Sequence, residues 1–97
     1  MLVLLNYFLI NDSTRVIIRS MKEKLIQRFL TDQTHITITD CDSLLTGFGF
    51  EHRKSAGSHR AFHKKGERPI IVITPKHSKY VKKEYVELIV KRLNLEG

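Results

Sequence analysis

Residues 50–74 read FEHRKSAGSHRAFHKKGERPIIVIT, and this stretch decides the fold. Three extended segments fit it: Phe50 to Ser55, Ser58 to Lys64 and Pro69 to Thr74. They are separated by Ala56-Gly57 and by Lys65-Gly66-Glu67. Connections this short join neighbouring antiparallel strands, because a parallel return needs a crossover of a dozen residues or more. Ile70-Ile71-Val72-Ile73 is β-branched throughout and favours a pleated, buried surface, and Pro75 closes the segment. In the middle strand, alternation separates His59, Ala61 and His63 from Ser58, Arg60, Phe62 and Lys64. Phe62 is the large apolar side chain of that strand. It is expected to face the core and leave His59 and His63 on the open face.

Helical spacing flanks the strands on both sides. Met21, Leu25, Ile26, Phe29 and Leu30 predict an amphipathic helix that ends at 31–34. Ile36 and Ile38 suit a short extended stretch. Thr39-x-x-Asp42 has the form of a capping box opening a second helix, with Leu44, Leu45 and Phe48 inward and Gly49 as a left-handed stop. A last helix is expected over 82–94, with Tyr85, Leu88, Ile89 and Leu93 on its buried stripe and a Glu87–Lys91 pair outside. Three antiparallel strands between helices make an α+β domain whose sheet is covered on one face and open on the other.

The chain of 97 residues carries a formal charge of +7. Residues 1–50 hold five basic and five acidic side chains, whereas 51–97 hold twelve basic and five acidic. The whole excess lies in the strand-rich half. Either an anionic partner, with nucleic acid the default, or a solvated lysine-rich surface accounts for it. One cysteine, Cys41, excludes an internal disulfide and a thiolate zinc site, and suits a small buried side chain in a reducing cytoplasm. Residues 1–20 divide off as an N-terminal extension from a domain over 21–97. Their apolar run MLVLLNYFLI is too short to span a bilayer and lacks the features of a secretory signal. Two readings of 1–20 stand: a strand or short helix laid on the domain, or a stretch upstream of a start at Met21.

His59 follows Gly57-Ser58, a turn at which the backbone can approach a phosphate. An imidazole there suits general acid–base chemistry, and RNA supplies its own nucleophile, the 2′-hydroxyl. Lys54, Arg60, His77, Lys79 and Lys82 are the cations available to hold phosphates. An ordinary surface histidine is the other reading of His59. No metal is expected: His59 and His63 are four apart on a strand, roughly 13 Å, too far to share one ion. No phosphate-binding glycine motif of the nucleotide-binding kind occurs, and no small-molecule cofactor is expected.

The ordered set Leu44-Leu45, Gly49-Phe50, Gly57-Ser58-His59-Arg60 and Pro75-x-His77, preceded by Ile36-Thr37-Ile38 and Asp42, resembles the HicA toxins of bacterial toxin–antitoxin systems. The resemblance runs over about 22–94. It implies a fold like that of double-stranded-RNA-binding domains and metal-independent cleavage of mRNA in the cytoplasm. It places His59 at the catalytic position, with Gly57 and Ser58 shaping its turn. It also implies a cognate HicB-like antitoxin that binds the toxin and blocks its active face. Lys82-Lys83-Glu84-Tyr85 and the glycine-free His77-Ser78-Lys79-Tyr80 depart from the family's usual entry to the last helix. The rivals are a non-catalytic RNA-binding module of the same fold, and a protein-interaction domain whose charge holds an acidic partner.

Overall fold

The computed structural model describes residues 22–54 and 57–97; the extension over 1–20, Met21, Ser55 at the expected end of the first strand and Ala56 of the first connection lie outside the described residues. Helix α1 runs over 22–31 and turns Phe29 fully inward, with Leu25, Ile26 and Leu30 packed against the same core. Helix α2 is Ile38–Gly47. Strands β1 (Glu51–Lys54), β2 (His59–His63) and β3 (Ile70–Ile73) follow, and helix α3 (Lys83–Arg92) completes the described elements.

Helix α2 begins two residues earlier than the Thr39-x-x-Asp42 reading. Thr37 is the N-cap: its hydroxyl accepts from the Asp40 N–H at 3.1 Å, and the Asp40 carboxylate accepts from the Thr37 N–H at 2.9 Å. Thr37-x-x-Asp40 is also a capping box, and three contacts favour it over the later one. It leaves Ile36 buried just before the cap and Cys41 buried at the fourth helical position, the two sites of a hydrophobic staple. It brings Asp40 to Arg28 of α1. It lets the Ile36 carbonyl accept from the Val81 N–H at 2.7 Å, tying together the lead-ins to α2 and α3. Ile38 is therefore helical, and the extended stretch expected at Ile36–Ile38 does not form. At the other end Gly49, with φ of 92°, supplies the expected left-handed stop, and Lys64 Nζ donates to the Phe48 carbonyl at 2.8 Å.

The sheet has the order β1-β2-β3 and is antiparallel throughout. Phe62 pairs with His52 and Ile70, and Arg60 pairs with Lys54 and Val72, so these positions share the helix side. Phe62, Ile70 and Val72 are buried there together with Leu44, Leu45, Val86 and Ile89 of the helices. His59, Ala61 and His63 share the opposite, open face with Arg53, Ile71 and Ile73, as alternation about Phe62 requires. Strands β2 and β3 are one residue shorter at both ends than the sequence reading, and β1 starts one residue later.

Helix α3 buries Val86, Ile89 and Val90, with Tyr85 and Leu93 packed beside them. Leu88, expected on this stripe, is 40 % exposed. Val86, Ile89, Val90 and Leu93 are spaced i, i+3, i+4, i+7, which leaves Leu88 on the far side of the cylinder. Glu87 pairs with Lys83 one turn earlier (3.7 Å) rather than with Lys91. Asn94 takes a left-handed conformation (φ 53°) and stops the helix at Arg92. The Arg92 guanidinium donates to the Arg68 carbonyl and lies 3.8 Å from Glu67, bracing the β2–β3 turn. Among the described residues no helix is long and apolar enough to cross a membrane.

Candidate active site

Gly57 has φ of 64°, a left-handed conformation that costs an L side chain roughly 1–2 kcal/mol, so glycine suits the chain reversal there. Ser58 follows, and its carbonyl accepts from the Thr74 N–H at 2.7 Å, fixing the start of β2 against the end of β3. His59 is then the first residue of β2, paired with Ile73 and exposed on the open face. Arg60, next along, is half-buried and belongs to the helix side.

The two residues therefore start on opposite faces of the sheet, but both reach one cleft at its end. This cleft, about 330 Å³, is lined by Gly57, Ser58, His59 and Arg60 from the start of β2, by His52 from β1, and by Thr74, Pro75 and Lys76 after β3. Among the described residues its lining includes two cations, Arg60 and Lys76, and two imidazoles, and no carboxylate. Such a concavity suits a phosphodiester: the cations oppose its charge, and an imidazole can move a proton at its oxygens.

Of the residues singled out in the sequence, the cleft brings together Gly57, Ser58, His59 and Arg60. His77, Lys79 and Lys82 are exposed beyond its lining. Lys79 Nζ stands 5.4 Å from the centre of the Tyr80 ring, and Lys82 is the N-cap of α3 without a side-chain capping bond. Lys54 ends β1 opposite Arg60. Sequence reasoning missed His52 and Lys76 as site residues. Strand register was the available signal for His52: counting back through the hairpin sets it opposite Phe62, where its ring lies 5.3 Å from the Phe62 ring at 40°.

Two further observations bound the chemistry. Among the described residues no group of three or more His, Cys, Asp or Glu gathers where it could hold a metal ion. Cys41 is fully buried in α2, and burial, reinforced by the charges of Asp40 and Asp42, pushes its thiol up to about 12. A thiol so held is inert as a nucleophile, matching the small-hydrophobe reading.

An antiparallel α+β domain with a cationic, histidine-bearing cleft at the end of its sheet is the class these observations define. Residues 38–95, more than half of the chain, match the family of HicA toxins of bacterial toxin–antitoxin systems, and the chain belongs to that family. The matched segment opens at α2, so α1 precedes it, a narrower span than the resemblance over 22–94. No curated protein and no solved structure matches the chain significantly.

Proposed function

We propose that this toxin acts by binding mRNA and cutting it endonucleolytically, with His59 as the catalytic residue. The observation that carries the reading is the position of His59 immediately after the Gly57-Ser58 turn, at a cleft whose charged lining is cationic, in a chain of the HicA family. The ribose 2′-hydroxyl serves as nucleophile, so the protein has to move protons and stabilise the phosphate, and no metal or cofactor is required. Arg60 and Lys76 hold the scissile phosphate, while Lys54, His77, Lys79 and Lys82 contact phosphates further along the strand. Cleavage of messages arrests translation and growth in the cytoplasm. A HicB-like antitoxin encoded with the toxin restrains it by covering this cleft.

Induced expression tests the reading, with growth and bulk mRNA integrity followed together for wild type and His59→Ala. The wild type is expected to stop growth and lose intact mRNA, while the variant does neither and remains folded. Equal behaviour of the two removes His59 from the chemistry and favours a non-catalytic RNA-binding module.

A further inference from the structure

Cleavage through the 2′-hydroxyl requires two proton movements, and one histidine supplies one of them at a time. The 2′-hydroxyl gives its proton to a base as its oxygen bonds to phosphorus. The bond from phosphorus to the 5′-oxygen then breaks, and that oxygen takes a proton from an acid. The products are a 2′,3′-cyclic phosphate and a 5′-hydroxyl, with no other reactant consumed. Efficient acid and base groups have ionisation near the working pH, which among side chains points first to imidazole. The remaining cleft cations, Arg60 and Lys76, suit stabilisation of the phosphate charge instead.

We infer that His52 is the second proton-transfer residue of this cleft, taking the role opposite to that of His59. The inference rests on the nuclease reading above. His52 and His59 line the same cleft from adjacent strands, His52 from the helix side of the sheet and His59 from its open face, so a phosphodiester seated between them at the sheet end has an imidazole on either side. His52 is exposed, and its ring leans on the buried Phe62 ring, which limits the orientations it can take without covering it. Arg60 neighbours it diagonally on the helix side of the sheet and reaches the same cleft, positioned for the non-bridging phosphate oxygens.

The test compares two RNAs of the same sequence. One is ordinary; the other carries sulfur in place of the bridging 5′-oxygen at the mapped cut, so that the leaving thiolate needs no proton. His52→Ala and His59→Ala are each expected to lower cleavage of the ordinary RNA by about 10²–10⁴-fold. On the sulfur-bridged RNA, whichever variant lacks the acid recovers to within about tenfold of wild type, and the variant lacking the base does not. His52→Gln, which keeps side-chain bulk over Phe62 but cannot transfer a proton, separates chemistry from folding and is expected to match His52→Ala. Thermal melts of all the variants accompany the assay. His52 variants that cut ordinary RNA within about threefold of wild type overturn the inference, as does a pair of histidine variants that both stay impaired on the sulfur-bridged RNA. Wild-type protein that cuts neither RNA instead overturns the nuclease reading itself.

Discussion

Arg28 of α1 grips both carboxylate oxygens of Asp40 in α2, Nη1 to Oδ1 at 3.1 Å and Nη2 to Oδ2 at 2.9 Å, while Asp40 completes the capping box of its own helix. The same guanidinium donates to the His35 carbonyl at 3.0 Å. One side chain thus fastens two helices and the loop between them. Asp40 feels opposing influences: burial works to raise its pKa, but the Arg28 guanidinium and the donors of Thr37 outweigh it and hold the carboxyl below its usual range.

That depression fixes a pH dependence. Stability from Asp40 is fully present above the unfolded carboxylate value, about 3.9, and is lost as pH falls through the lower folded value. Asp40→Asn is expected to cost about 1 kcal/mol at pH 7, a modest figure because Arg28 is partly solvated. The difference between variant and wild type should shrink as pH falls from about 4 through the lower folded value, below which both side chains are neutral. Urea titrations across that range measure it. A cost that stayed constant down to pH 2 would remove the ion pair from the account.

Cys41 is expected to resist alkylation in the native protein and to react fully once unfolded, because its thiol is buried and its pKa is raised. Mass spectrometry after a short iodoacetamide pulse, with and without denaturant, gives the comparison. Rapid native labelling would mean that α2 opens locally far more often than its packing allows.

The sheet was legible in the sequence because short connections and one β-branched run leave few alternatives; Phe62 alone set its register and so put His59 on the open face. The cap of α2 and the buried stripe of α3 were misread, each for a physical reason. Thr37-x-x-Asp40 and Thr39-x-x-Asp42 are equivalent as patterns, and the choice between them depends on Arg28, a tertiary contact. Tyr85, Leu88, Ile89 and Leu93 make one helical stripe, but packing of α3 against β3 buries the stripe of Val86, Ile89 and Val90 instead. In the site, residues contiguous with the turn were found, whereas His52 arrives from β1 and Lys76 from the segment after β3, so they needed the register and the chain path beyond the sheet.

Phosphate holding in the cleft, as proposed, is expected to make RNA binding salt-dependent. Each phosphate contact on a single strand contributes about 0.7 to the slope of log affinity against log salt. Arg60→Gln and Lys76→Gln are each expected to flatten that slope by about this amount in titrations with a catalytically silent His59→Ala background. Lys91→Gln, exposed on α3 and outside the cleft lining, is the control and should leave the slope unchanged. An unaltered slope in both cleft variants would place the RNA elsewhere.

Gly57 separates backbone strain from steric blockage. A Cβ built there meets nothing within 4 Å, so the difficulty for other residues is the φ of 64° alone. Asparagine tolerates this conformation better than alanine, and a β-branched side chain tolerates it least. Stability is therefore expected to fall in the order Gly57, Asn, Ala, Val, with Gly57→Ala costing about 1 kcal/mol and Gly57→Val more. Cleavage should fall in the same order if the turn sets the position of His59, and Gly57→Asn should keep most of it. If all three variants melted alike yet lost cleavage equally, the cause would lie in a substrate approach that excludes any side chain at 57 rather than in turn conformation. Melting temperatures and single-turnover rates on one RNA distinguish the two, because strain lowers both together and exclusion lowers only the second.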